Sequence, residues 1–154
     1  MAKVRLTYIS VEIKATNSIE INRPTEEVFR FLADGLNNPK WRSAVIDISL
    51  VSGSTATLGA LYRQTLKGPF GTKMQDYRIT EAKPYSRIQF QVITGPVRPL
   101  GSFEISPADG RSRVRFSLVC QPTGIMRLMT GMIEKTMEAE IKNLTTLKRV
   151  MESA

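Results

Sequence analysis

The 154-residue sequence has no histidine and only one cysteine, Cys120. Without imidazole there is no Ser-His or Cys-His dyad, no zinc site built on histidine, and no near-neutral general base of the usual kind. A single cysteine makes neither an internal disulfide nor a thiolate metal cluster. It closes an alternating run, Val114-Arg115-Phe116-Ser117-Leu118-Val119-Cys120, and so reads as a buried spectator thiol rather than a nucleophile. Long apolar runs are also missing, and nothing approaches the ~20 residues that span a bilayer. The segment from Met1 to Thr16 alternates apolar and polar residues. A secretory signal would show a basic stretch, a solid apolar block and a small-residue cleavage site. A cytoplasmic protein is therefore expected. Tracts of like charge are absent as well. The formal net charge is +8, but the basic residues are dispersed, which implies a solvated mixed-charge surface and no specific nucleic-acid face.

What is present fits one domain over residues 1–154, with 42% hydrophobic residues to build a core. Ile9, Val11, Ile13, Ala15, Ile19 and Ile21 recur at period two and predict a first strand, with Asn17 and Ser18 as the place for a bulge or bend. Pro24 suits a helix entry, and Glu26 and Glu27 suit the positive end of its dipole. Val28, Phe29, Phe31 and Leu32 continue at helical spacing, and the helix should end near Asp34-Gly35. Leu36 to Ser43 reads as a turn and a second short helix carrying the only tryptophan, Trp41. From Val45 to Pro122 the pattern is strands separated by Gly- and Pro-containing turns. After Gln121-Pro122-Thr123-Gly124, the residues Met126, Met129, Ile133, Met137, Ile141, Leu144, Leu147 and Met151 form a stripe at spacings of three and four. This predicts one amphipathic helix over about 28 residues, roughly 40 Å long at ~1.5 Å per residue.

Seven strands with short connections favour a curved antiparallel sheet, an α+β class. Its apolar face needs a cover, and only the C-terminal helix is long enough. A twisted sheet wrapped on one helix, closed at one end by two short helices, leaves an apolar cavity with a few polar groups. Five of the seven methionines fall in that last helix (Met126, Met129, Met132, Met137 and Met151), and their unbranched thioethers adapt to varied neighbours.

Several segments resemble the SRPBCC superfamily, also called START or Bet v 1-like helix-grip proteins. Within it the polyketide cyclase/dehydrase and lipid-transport group is the nearest match. Ser18-Ile19-Glu20-Ile21-Asn22-Arg23-Pro24-Thr25-Glu26-Glu27-Val28-Phe29 is similar to the family's opening strand and helix. Phe31-Leu32-Ala33-Asp34 through Pro39-Lys40-Trp41 is similar to its helix–turn–tryptophan segment. Gly59-Ala60-Leu61-Tyr62-Arg63 resembles its glycine-led third strand, and Tyr77-Arg78-Ile79-Thr80-Glu81 with Pro84 and Ile88 resembles its strand pair. The resemblance spans Ser18 to Met151. It implies the helix-grip fold and a pocket for a hydrophobic ligand, in a family whose members include lipid carriers, aromatase/cyclases, hormone receptors and quinone-binding chaperones. Ser52-Gly53-Ser54-Thr55-Ala56-Thr57 departs from the glycine-rich loop of the plant pathogenesis-related branch. That branch's nucleotide and nucleic-acid properties are therefore not implied.

Alternation places Tyr62, Gln64, Gln75, Tyr77, Ile79, Phe90, Val92, Phe103, Ile105, Phe116 and Leu118 on the concave face. In the third strand Leu61, Arg63 and Thr65 offer the opposite phase. Met126, Met129, Ile133 and Met137 would face them from the helix, and Trp41 would plug one end. Tyr62 and Tyr77 could each donate a phenol hydrogen bond to a ligand carbonyl. Gly95-Pro96-Val97-Arg98-Pro99 is placed near the mouth, where Arg98 could meet an acidic head group or simply face solvent. Arg78, Arg113 and Arg115, with Asp76 and Glu104, read as a salt-bridge lattice on the convex face. No acid/base pair, metal set or cofactor motif stands out. The first expectation is a carrier or binding protein for a lipid, quinone or polyketide-like molecule, with no transmembrane segment and at most peripheral membrane contact, as a monomer or homodimer. A cyclase/dehydrase-type enzyme working without histidine or metal is the second. A ribosome- or chaperone-associated interaction module is the third.

Overall fold

The computed structural model describes residues 11–153, so Ile9 lies outside the described residues. The first strand, β1 (Ile13–Ile21), buries Ile13, Ala15 and Ile21 on one face. It pairs with the last strand without any register shift, so the expected bulge at Asn17-Ser18 is not formed. Asn17 keeps its place in the ladder and its side-chain amide donates to Ile141 O at 3.2 Å, which satisfies a polar group at the sheet–helix junction.

Helix α1 (Thr25–Ala33) starts at Pro24, carries Glu26 and Glu27 in its first turn, and buries Val28, Phe29, Leu32 and Ala33. It ends where predicted. Asp34 caps a 3-10 turn (Gly35–Asn37) by accepting from the Leu36 N–H, and the short α2 (Asn38–Trp41) follows. The remaining strands are β2 (Val45–Ser52), β3 (Leu61–Gly68), β4 (Gly71–Lys83), β5 (Arg87–Val92), β6 (Leu100–Ala108) and β7 (Arg111–Cys120). They form one antiparallel sheet in the order β1-β7-β6-β5-β4-β3-β2. Strands β1 and β2 are thus its two edges, and α1 and α2 connect them across one end.

The concave face follows the predicted alternation. Phase in β3 is settled by Tyr62 and Gln64, which are buried, while Arg63 is exposed. Strand β7 buries every second residue from Ser112 to Cys120 and turns Arg111, Arg113 and Arg115 to solvent. There Arg111 and Arg113 share Glu20, while Arg87 bridges Glu81 and Glu104. Asp76 takes a bidentate pair from Arg63 at 2.9 and 3.0 Å.

The long C-terminal helix that covers the sheet is interrupted. A 3-10 segment (Gly124–Met129) leads into α3 (Thr130–Ile141), and α4 (Leu144–Glu152) follows after Lys142-Asn143. At that break the Asn143 N–H donates to Glu140 O and the Thr145 N–H to Lys142 O, both tighter than an α-helical step. Asn143 is a weak helix former whose amide oxygen instead accepts from the Ser43 hydroxyl at 3.3 Å. The apolar stripe survives the break, with Ile133, Met137, Ile141, Leu144, Leu147 and Met151 all buried. No helix among the described residues is long and apolar enough to cross a membrane.

Candidate functional site

The interior beneath α1 and α2 is filled by rings. Phe103 stacks on Phe116 at 4.5 Å and Tyr62 on Tyr77 at 5.3 Å, while Phe90 joins the two pairs. Trp41 stands edge-on to Phe103 and Phe116 at 5.9 and 6.1 Å. The inward residues of β3 to β7 stack these rings more closely than the alternation alone implied. Trp41, Tyr62, Val92 and Phe116 are packed core and line neither cavity, while Phe103, buried with them, borders only a small void. Trp41 Nε1 is the buried side-chain nitrogen left without a hydrogen-bond partner among the described residues.

A polar network crosses this aromatic core. Arg42 and Glu140 form an ion pair whose side chains are 8% and 14% exposed. Arg42 Nη1 donates to Gln64 Oε1 at 3.5 Å, and Gln64 Nε2 donates to Gln75 Oε1 at 2.9 Å. Asn38 Nδ2 donates to Tyr77 Oη at 3.0 Å and to Gln64 Oε1 at 3.4 Å. Tyr62 Oη accepts from the Ala56 N–H. Burial pushes the Tyr77 phenol well above its ordinary value, against the opposing pull of Arg42 and Asn38. A void of about 10 Å³, the size of one water, lies against Asn38, Arg42, Tyr77, Ile79 and Phe90.

The larger cavity lies at the other end of the sheet and measures about 300 Å³, the low end of ligand pockets. Its walls are Lys73, Met74 and Gln75 of β4, the loop residues Thr94, Gly95, Pro96, Val97 and Pro99, and Met126, Met132, Ile133, Thr136 and Met137 of the C-terminal segment. Of the residues expected from sequence, it gathers Gln75, Met126, Ile133 and Met137. Met129 does not line it and is exposed. The backbone at Met129 is non-helical (φ −112°, ψ 21°), so the phase resets between the 3-10 turn and α3, and Met132, itself partly open to solvent, lines the cavity instead. The Gly95–Pro99 loop does form part of the wall, but Arg98 itself folds back so that its Nε donates to Gly95 O.

Lys73, Thr94 and Thr136 are lining residues that sequence reading missed. Lys73 near the start of β4, Thr94 just past β5 and Thr136 in the middle of α3 are polar residues outside the apolar periodicity, so they gave no signal. The Arg42–Glu140 pair did leave one: Glu140 sits three residues after Met137 and four before Leu144, so an acid occupies the apolar stripe.

The family profile described as polyketide cyclase/dehydrase and lipid transport matches residues 12–152. The chain belongs to that family. Comparison of this cyclase/dehydrase and lipid-transport family member with curated proteins finds no match. Solved structures share its fold. The Zhui aromatase/cyclase from Streptomyces sp. R1128 is 12% identical, with 91% of this chain and 96% of that chain covered and a TM-score of 0.72. A START superfamily protein from Mycobacterium smegmatis is 11% identical over 90% of this chain and 98% of that one, with a TM-score of 0.72. The di-domain aromatase/cyclase BexL from the BE-7585A biosynthetic pathway is 21% identical over 90% of this chain, with a TM-score of 0.74, but the family member spans only 46% of BexL. At these identities the likeness is one of fold.

Proposed function

We propose that this chain binds and carries a small apolar molecule, of lipid, quinone or polyketide-like type, in the cavity between β4, the Gly95–Pro99 loop and the start of the C-terminal helix. The observation that carries this reading is the cavity itself: about 300 Å³, walled by Met74, Pro96, Val97, Met126, Met132, Ile133 and Met137. Methionine side chains adapt their rotamers to a guest at little cost. The 3-10 segment that contributes Met126 to the wall also exposes Ile125 and Leu128, apolar surface that suits a pocket which exchanges its contents.

Holding a ligand is favoured over acid–base chemistry on it. Among the described residues Lys73 is the one ionisable side chain in the wall, and neither tyrosine of the Tyr62–Tyr77 pair lines it. A cyclization step would call for a positioned acid or base near the substrate. Native mass spectrometry of protein purified from its own host, followed by extraction under denaturing conditions, tests the proposal. A stoichiometric apolar molecule supports it. An empty protein that also fails to bind lipids, quinones and aromatic polyketides sinks it.

A further inference from the structure

The polar network has a direction, and that direction decides what the cavity presents. A guanidinium can only donate hydrogen bonds. Arg42, held by Glu140, therefore requires the oxygen of the Gln64 amide to face it, as observed at 3.5 Å. This leaves Gln64 Nε2 to donate, and the atom that receives it is Gln75 Oε1 at 2.9 Å. The Gln75 amide is thereby oriented with its nitrogen as the remaining polar atom, in a side chain that lines the cavity. Among the described residues nothing accepts from that nitrogen. Thr94 reinforces the pattern. Its oxygen accepts from the Asp76 N–H at 2.9 Å, and its hydroxyl proton has no acceptor among the described residues, so it can donate to a guest. Lys73, in the same wall, has only donors. Thr136 lies on the opposite wall, with its proton committed to Met132 O.

We infer that the β4 wall is a donor site which selects an apolar molecule carrying a carbonyl-type oxygen, ketone or carboxylate. Gln75 is the specificity-determining contact, and Gln64 and Arg42 are the positioning residues that fix which end of its amide is offered. The inference rests on the proposed ligand-binding role and deepens it. A donor left unpaired against an oxygen-free guest loses its water without replacement, which is the physical basis of the selection.

The test compares methyl nonyl ketone, its isostere with C=CH₂ in place of C=O, and undecanoate, by calorimetry and by the Gln75 side-chain amide resonances. The ketone should bind about tenfold more tightly than the isostere, the scale of one neutral hydrogen bond, and should move the Gln75 amide protons while the isostere does not. Undecanoate reports whether Lys73 makes a carboxylate the better oxygen. Gln64→Glu provides the decisive variant. It keeps an acceptor towards Arg42 but cannot donate to Gln75, so the Gln75 amide must reverse. In that variant the ketone preference should disappear while the isostere binds as before, an outcome that mere loosening of the wall does not give. Gln75→Met should likewise abolish the preference. Equal binding of ketone and isostere by the natural protein overturns the donor site but leaves the carrier reading intact. Binding of none of the three overturns the donor site, and the carrier reading then stands or falls on native mass spectrometry and the wider panel of lipids, quinones and aromatic polyketides.

Discussion

Gly35 stands so close to Tyr77 that a Cβ on it would lie 2.2 Å from the phenol oxygen and 3.0 Å from the neighbouring Tyr62 ring. The turn after α1 is thus seated directly on the stacked tyrosine pair. Gly35→Ala should destabilise by about 1–3 kcal/mol through overpacking. Tyr77→Phe in the Gly35→Ala background should restore part of the loss, because it deletes the clashing atom. Urea denaturation of the two single variants and the double variant measures this, and simple additivity would refute the contact.

Glu140→Ala leaves the Arg42 charge buried without its partner. The expected cost is about 3–5 kcal/mol, and the paired change Arg42→Met with Glu140→Leu should regain most of it. Denaturant midpoints decide the matter. A loss below about 1 kcal/mol for Glu140→Ala would mean that the pair is solvated like a surface bridge.

Tyr77 provides an alkaline test. Burial raises its folded-state value above the ordinary 10.0 of a phenol, so the neutral form is favoured by folding. Stability from this group is therefore whole below pH 10.0 and declines as the pH rises past it. Tyrosinate absorbance of the natural protein and of Tyr77→Phe should coincide until the chain unfolds. A difference already present near pH 10.0 would contradict the burial argument.

Cys120 is 3% exposed, and burial raises its thiol above the usual range. Thiol reagents should modify it only as fast as the native chain opens, and denaturant should accelerate the reaction sharply. Immediate stoichiometric labelling of the native protein would show that β7 does not shield it.

The scaffold was legible because periodicity reports burial. The alternation in β7 and the stripe from Ile133 to Met151 each specify a face, and both faces are buried as read. Side-chain fit across the sheet is not periodic and so escaped. Gly101 illustrates this: its missing Cβ is where the Phe90 ring lies, 2.0 Å from the position that Cβ would take. Pairs such as Phe90 with Gly101, adjacent only through the β5–β6 register, close the aromatic core and push the open volume to the far end. The break at Asn143 was hidden because the stripe continues across it, while the Asn143 side chain answers to Ser43 and the Ile141 carbonyl to Asn17.

That break divides the cover into two parts with different attachments. Helix α4 buries Leu144 and Leu147 completely, accepts the Asn22 N–H on Glu152, and ties Lys148 to Glu20 O at 2.7 Å. The 3-10 segment before α3 buries no residue at all. Amide hydrogens should accordingly exchange first in residues 124–129 and last in α4, and an occupied cavity should slow the former while leaving the latter unchanged. Substitutions in the first half can then reshape the cavity wall while the clasp that holds the fold together stays as it is, so the shape of the pocket can change without rebuilding the frame.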